Sequence, residues 1–454
     1  MAGFSRTDLN SYIDLFSRWV DRQLLDRDQP GLSAAIIHDQ EVIWTGGFGY
    51  ADVDRKIAAT PQTIYGIGSI TKVFTALAIQ QLRKAGKLGL DDAVTKHLPW
   101  FKILPFQDQQ EDITIRHLLT HTGGLPPHLV VPGEGRDPLT VNIQQVKQLL
   151  PRHQCLAPAG GEFRYSNLGY SLLGQIIEHV AGVSFADYVE RNILQPLGMA
   201  QTFARHDAIP ATMAAVGYGR RLPRERRAVY DRVDMRTGVA AGGMVSTVED
   251  LARFAMFHVS AIATDRCGVL DEKVMREMLH PYTMLPGGQI GQGFAWRVER
   301  LNDCTTARHS GTVPGFQAGI ELHLEEKIGI VVLTNSTDGD ASHYLQRLYN
   351  WVGKGAQHAA ETVTSESAPA SFGQYIGKYR SVWVDIEVFM YQGRLALMHP
   401  SSADPMVICL DHAEANVFRV TGPSMDRAVF NLNETGDVAS MFLGGVQFDR
   451  IAHW

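Results

Sequence analysis

The stretch Gly66–Gly86, GIGSITKVFTALAIQQLRKAG, constrains this 454-residue chain more than any other. From Lys72 to Leu82 there is no Gly or Pro, and Val73, Phe74, Ala76, Leu77, Ala78, Ile79 and Leu82 are apolar on nearly every side. That pattern reads as a helix, and a helix apolar all round is normally buried. Gly66 and Gly68 let the chain turn tightly just before it. A buried helix accepts a Ser and a Lys near its start only if they have partners or a job. Ser69 and Lys72 are three apart, so they share a face about one turn apart. The serine sits where helix N–H groups are unpaired and the local field is positive, which favours an oxyanion beside it. A lysine held among apolar groups has its pKa pushed down and can take a proton. Taken alone, the same stretch also reads as a capping serine and a lysine that snorkels to the surface. S-x-x-K should arise by chance roughly once in a chain of this length, so the motif needs company.

Composition narrows the classes. Net charge is −6, with 42 basic against 48 acidic residues. There is no electrostatic footprint for nucleic acid or an anionic membrane. The local exception is GRRLPRERR (219–227), a solvated loop or an anion-attracting rim. The start, MAGFSRTDLNSYIDLF, lacks a basic segment followed by an apolar one, so the expected location is the cytoplasm. A processed exported form would look the same. No run is long and apolar enough to span a bilayer. Cys155, Cys267, Cys304 and Cys409 lack C-x-x-C spacing and read as reduced thiols. His117 and His121 have metal-ligand spacing on a helix, with no third ligand in a known pattern. Neither metal nor cofactor is expected.

Along the chain, residues 8 to 26 form an amphipathic helix, and runs 32–37 and 41–50 flank a hairpin turn at His38-Asp39-Gln40. DITIRHLLTHTGGLP reads as a helix closed by Gly-Gly. GYSLLGQIIEHVAG is another, stopped by Gly182, and 185–193 a third. Ser246-Thr247 before Glu249-Asp250 is an N-cap signature. After 290 the pattern turns to strands (FAWRVE, FQAGIELHLEE, KIGIVVLTN), then a helix from about 342 to 352. Strands at both ends with helices between predict one sheet made from both ends, with a helical insertion. Residues 355–371 are small and polar, a linker. Short strand-like runs over 372–454 predict a small sandwich or barrel. The expected domains are thus 1–354, a linker over 355–371, and 372–454.

Two companions of Ser69 stand out. Tyr165-Ser166-Asn167 precedes a helix. A phenol with a suppressed pKa can act as a base, and a carboxamide can donate to and accept from a substrate amide. A core tyrosine with an N-capping Ser or Asn is the plainer reading. His309-Ser310-Gly311 lies just before the strand GFQAGIELHL. A strand edge there would offer a backbone N–H, that of Thr312, as a second oxyanion donor beside that of Ser69. A loop histidine is the plainer reading. No G-x-S-x-G occurs, so the usual α/β-hydrolase elbow is absent.

S-x-x-K, then Y-x-N, then a basic residue-Ser-Gly before a late strand resembles the serine β-lactamase and penicillin-binding protein superfamily. The Y-x-N form looks like class C β-lactamases, D-alanyl-D-alanine carboxypeptidases, D-aminopeptidases and related esterases. WTGGFGYAD, LLTHTGGLP, ILQPLGM, AAGGMVSTVEDLARF and VVLTNS extend the likeness over about residues 15 to 350. It implies an α+β fold, an antiparallel sheet flanked by helices plus an all-helical subdomain, with the site in the cleft. By resemblance Ser69 is the nucleophile, Lys72 and Tyr165 form the base system, and Asn167 holds the substrate amide. His309 faces the substrate or stabilises the Tyr165 hydroxyl, in a substrate edge with Ser310, Gly311 and Thr312. Histidine stands where β-lactamases usually carry lysine, which points away from β-lactamase activity and toward D-peptidases. From GQYIGKYRS onward the chain looks like the lipocalin-like domain that trails some of these peptidases. The resemblance implies a serine hydrolase acting through an acyl-enzyme on small-molecule or short-peptide substrates. A peptidase for D-residue peptides, a carboxylesterase, acyltransferase or β-lactamase on the same fold, and a silent sensor or scaffold are the expected alternatives. A homo-oligomer is compatible with all three.

Overall fold

The computed structural model describes residues 6–107, 112–129, 141–231, 234–261, 269–301, 304–358, 370–402, 406–421 and 427–453. Two compact units result: Pro30–Leu345, and Met1–Gln29 together with Gln346–Trp454. The helices used below are α1 (Arg6–Asp26), α2 (Thr71–Lys84), α3 (Ile115–Leu119), α4 (Asn167–Ala181), α5 (Val248–Ala261) and α6 (Ala341–His358).

The larger unit is built on a nine-stranded antiparallel sheet. Its strands are β1 (Gly31–His38), β2 (Glu41–Asp52), β3 (Ile57–Ala58), β4 (Thr283–Met284), β5 (Gly291–Gln292), β6 (Arg297–Leu301), β7 (Cys304–Val313), β8 (Phe316–His323) and β9 (Ile328–Thr334). Their order is β3-β2-β1-β9-β8-β7-β6-β5-β4. The first strand pairs with the last, Leu32 opposite Thr334, so the sheet is closed from both ends of the unit as the sequence predicts. β9 is buried along its whole length. α5 packs on β1, β8 and β9, and Thr247 caps it by accepting from Asp250 N at 3.1 Å.

α2 lies against α4 and the short helix Val239–Gly242. It is buried from Thr71 through Gln80 and again at Leu82. Each fully buried Leu, Ile or Phe contributes roughly 1.5–3 kcal/mol relative to exposure. That apolar anchoring holds Lys72, itself fully buried, in place.

Two local readings need correction. The helix in DITIRHLLTHTGGLP ends at Thr120 rather than at Gly-Gly, and the left-handed residue is His121 (φ 58). Its ring is buried against Tyr165 and Tyr170, at centroid distances of 4.4 and 5.0 Å, which fixes that turn. The His309-Ser310-Gly311 motif lies within β7, not in a loop before a strand. Its mixed polar sequence hides the strand because this half of β7 pairs with β8 alone, leaving Ser310 and Thr312 exposed.

The smaller unit contains a closed barrel of eight antiparallel strands between Gly377 and Ile451. Tyr375, Tyr379, Phe418, Phe430, Met441 and Phe448 fill its core. α1 belongs to this unit: Trp19 Nε1 donates to Ser402 O at 3.0 Å, and Tyr12 meets Tyr391 edge-on at 5.8 Å. The helix read to Val352 continues to His358, into the first residues of the expected linker; 359–369 lie outside the described residues. Among the described residues no helix is long and apolar enough to cross a membrane.

Candidate active site

Ser69 sits in a tight 3-10 turn, Gly68–Ile70, that feeds directly into α2. Gly68 has φ +49, and a Cβ there would lie 2.6 Å from Thr312 N. A Cβ on Gly311 would lie 1.9 Å from Ile67 O and 3.1 Å from Ser69 N. Both glycines are therefore required by the close approach of the Ser69 turn to β7. That approach sets the backbone nitrogens of Ser69 and Thr312 at the contact between the turn and β7.

Lys72 Nζ lies 3.1 Å from Ser69 Oγ and 2.6 Å from Asn167 Oδ1, and it also bonds Ala241 O. No carboxylate is among its described partners. Burial pushes its pKa well below the ordinary lysine value. A neutral amine has two N–H bonds and one lone pair. Asn167 Oδ1 and Ala241 O can only accept, so they take both hydrogens. Nζ also donates to Ser69 Oγ in the structure; once the amine has lost its third proton, that bond turns round and the serine hydroxyl donates to the lone pair.

Tyr165 Oη donates to Ser69 Oγ at 2.8 Å. Burial raises its pKa to about 12, with the Ser69 bond and the charge of Arg297 offsetting part of the rise. The expected suppressed phenol is not found: burial disfavours the phenolate, and Tyr165 rests as a donor to Ser69 Oγ. Its placement comes from the plain capping role of Ser166. Ser166 Oγ accepts from Gly169 N at 3.0 Å and donates to Pro126 O at 2.8 Å, and Ser166 N donates to His121 Nδ1 at 3.1 Å. The cap sets Tyr165 and Asn167 on either side of the first turn of α4. Asn167 Nδ2 lies 3.3 Å from His128 Nε2.

His309 is buried on β7, with Nδ1 donating to Ser310 O at 2.7 Å. Burial, with the nearby Lys72 and Arg297, pushes its pKa down to about 3, against a partial rise from the Ser310 bond. The imidazole is neutral with its lone pair on Nε2. Among the described residues it makes no hydrogen bond to Tyr165. Ser310 and Thr312 point to the exposed face of β7, and Gly311 to the buried one.

Sequence reading missed Arg297. It sits on β6, opposite Arg308, beside the residue that precedes His309. Its charge bears on His121, Tyr165 and His309, and no described ion pair or hydrogen bond engages it. The available signal was the short hairpin spacing between FAWRVE and the third motif. An apolar recess lined by Tyr65, Met235, Met244, Val313 and Phe316 adjoins Gly66 and Gly242.

Other candidates resolve as structural. His117 Nδ1 accepts from Thr114 N at 3.3 Å in a capping box, and His121 is engaged as above. In the basic run, Arg227 bonds Asp338 and Arg226 pairs with exposed Asp54, so part of its charge is spent locally. The loops expected to shape the pocket, 125–160 and 215–240, are only partly within the described residues.

A model of the Beta-lactamase family matches residues 16–352. Protein flp of Staphylococcus aureus (strain COL) is 29% identical over 366 residues, covering 80% of this chain and 68% of that protein. Penicillin-binding protein 4* of Bacillus subtilis (strain 168) is 28% identical over 316 residues, 66% of each. The solved structure of the octameric penicillin-binding protein homologue from Pyrococcus abyssi aligns over 96% of this chain and 99% of that one, with TM-score 0.67 and 27% identity. EstCE1, a hydrolase with promiscuous acyltransferase activity, aligns over 76% of this chain and 99% of its own, with TM-score 0.65; at 23% identity this is a likeness of fold. The chain belongs to the β-lactamase family, within the serine β-lactamase and penicillin-binding protein superfamily.

Proposed function

We propose that this chain is a serine peptidase that forms an acyl-enzyme on Ser69, acting on short peptides with D-residues and a free carboxylate. The observation that carries the reading is Lys72: its buried Nζ lies 3.1 Å from Ser69 Oγ and is held there by Asn167 Oδ1 and Ala241 O, with no carboxylate among its described partners. Lys72 takes the Ser69 proton as Oγ attacks the substrate carbonyl carbon. The N–H groups of Ser69 and Thr312 receive the oxyanion. Tyr165, already a donor, gives its proton to the departing nitrogen, and Lys72 returns one to Tyr165. Water then repeats the sequence in reverse on the ester. Asn167, His309, Ser310 and Gly311 line the substrate edge.

Arg297 supplies the carboxylate end. An arginine keeps its charge at any working pH, so the positive pole that lysine gives β-lactamases stands here one strand away from His309. The resemblance of the Y-x-N and His-Ser-Gly motifs to D-peptidases supports the D-peptide half of the reading. The apolar recess suits an apolar group on the substrate. Neutral esters fit the same chemistry, and a carboxylesterase is the second reading, favoured by the uncharged His309. The octameric Pyrococcus homologue supports a homo-oligomer, which light scattering would show.

A panel of acyl-D,D-dipeptides, their L,L counterparts, C-terminal amides and p-nitrophenyl esters tests the assignment. D,D-peptides should exceed their L,L forms and their amides in kcat/KM. Arg297→Gln should cost roughly ten- to a hundredfold on carboxylate substrates, the worth of a charged hydrogen bond, and little on neutral esters. Ester turnover with no peptide turnover would move the assignment to esterase. No mass adduct on Ser69 with any substrate or penicillin would leave the silent scaffold.

A further inference from the structure

The end of β7 away from Ser310–Thr312 gathers a different chemistry. Cys304 opens β7, His323 closes β8, and Glu326 lies in the turn to β9. A thiol sulfur, an imidazole nitrogen and a carboxylate oxygen from these three residues all lie within 4.8 Å of one another. Ladder register makes the cluster. Thr306 pairs with His323 across β7 and β8, and Cys304, two residues before Thr306, shares its face.

The histidine is buried and held by a carboxylate. His323 is 3% exposed, with Nε2 2.8 Å from Glu321 Oε1. A carboxylate accepts, so Nε2 carries the hydrogen and Nδ1 presents its lone pair. Thr306 Oγ1 is hydrogen-bonded to Nδ1 at 3.3 Å, a bond that an ion at Nδ1 would displace. An imidazole that donates one N–H to a carboxylate and aims its other nitrogen at an ion is the usual support of a metal-bound histidine. Glu325, whose oxygens accept from Thr305 N at 2.6 Å and Thr305 Oγ1 at 2.8 Å, stands beside the cluster, with Arg300 offsetting its charge. Cys304 and Glu326 are half-buried, which leaves an entry path for an ion.

We propose that Cys304, His323 and Glu326 bind one zinc-like divalent transition-metal ion, with water in the fourth position. Thiolate and imidazole select zinc or cobalt over magnesium and calcium, which prefer oxygen alone. Thiolate and carboxylate together cancel the ion's two charges. Cys304 is eight residues from Thr312 along an extended strand, roughly 25 Å. The ion is therefore remote from Ser69 and clips the β7, β8 and β9 ends together.

The test is cobalt(II) titration of the full chain after chelator treatment. One equivalent should give tetrahedral visible bands and a thiolate-to-cobalt charge-transfer band, both displaced by one equivalent of zinc. Cys304→Ser should lose the charge-transfer band, and Glu326→Gln should weaken zinc binding by roughly tenfold or more. Thermal melts of both variants without metal check that they fold, and zinc should raise the melting temperature of the wild type but not of Cys304→Ser. A cobalt spectrum without the thiolate band, or zinc binding and stabilisation unchanged in both variants, overturns the site.

Discussion

Two regions of this molecule bury charge-bearing groups, and they do it in opposite ways. In the barrel unit, Asp385 receives Arg380 through two bonds, 2.9 and 3.0 Å, and Arg22 of α1 through a third at 2.7 Å. Burial pushes that carboxyl up, but the two guanidiniums more than reverse it, and its pKa is lowered. Arg18 and Glu387 repeat the pattern at 2.7 Å. At the start of α2, Lys72 is buried with carbonyl acceptors and, among the described residues, no counter-charge, and its pKa falls. A paired buried charge holds elements in register. An unpaired one gives up its charge and becomes a base. The difference separates structure from chemistry without reference to any relative.

The comparison is tested most severely at Ser69. Ser69→Ala should lower turnover by on the order of a million-fold and leave the melting temperature nearly unchanged, since one hydroxyl in a polar site is lost. Wild-type-like turnover by that variant would remove the acyl-enzyme reading.

Lys72→Met should lower turnover by roughly a hundred- to ten-thousand-fold, the usual worth of a positioned base. Its stability carries a sharper signature. The native lysine has the lowered pKa, so the unfolded chain binds the extra proton and wild-type stability rises with pH. The rise approaches about 1.4 kcal/mol per pH unit between the native and unfolded pKa values. Methionine has no such slope, so the stability of the variant relative to wild type should shrink as pH rises from the lowered native pKa of Lys72 toward the ordinary lysine value. Parallel melting curves across that range would mean Lys72 is charged in the native state.

Tyr165→Phe should slow acylation by roughly a hundred- to ten-thousand-fold with little change in stability, because the ring stays packed on His121. Asp385→Asn should do the reverse. It leaves Arg22 and Arg380 short of an acceptor and should cost about 1–3 kcal/mol of stability with turnover intact. Protease cleavage within 355–371, the first site expected to be cut, should leave the barrel piece bound to α1 through Trp19, Arg18 and Arg22. Separation of the pieces on a sizing column would show that those contacts do not hold α1 to the barrel.

Much of this was legible in the sequence, and the reasons differ by residue. Ser69 and Lys72 stood out because a polar pair in an all-apolar helix is a local contradiction. The sheet closed from both ends followed from strand patterns flanking helices. The acceptors of Lys72 were half hidden: Asn167 lay in a visible motif, but Ala241 acts through a backbone carbonyl that no side chain announces. The raised Tyr165 pKa depends on the packed rings around it. Arg297 and the Cys304, His323 and Glu326 cluster are products of strand register, which spacing along the chain does not reveal. α1 showed its apolar face clearly, but the barrel as its partner is a tertiary fact.

The smallest expected effect concerns His309. With its ordinary pKa near 6.5, this histidine would carry charge at pH 6 and lose it by pH 8. Preference for carboxylate-bearing substrates over neutral esters would then fall across that range. Burial holds His309 at about 3, so the side chain is neutral throughout. The linkage has the matching sign: the unfolded chain takes up a proton below about pH 6.5 while the native one does not, so stability is lost as pH falls from there toward 3. Within pH 6 to 9 the ratio of kcat/KM for a carboxylate substrate to that for its neutral ester should stay flat, with Arg297 supplying a constant attraction. A ratio that rises toward pH 6 and is abolished by His309→Asn would show a charged His309 in contact with substrate. A flat ratio that disappears only in Arg297→Gln would place the carboxylate on β6.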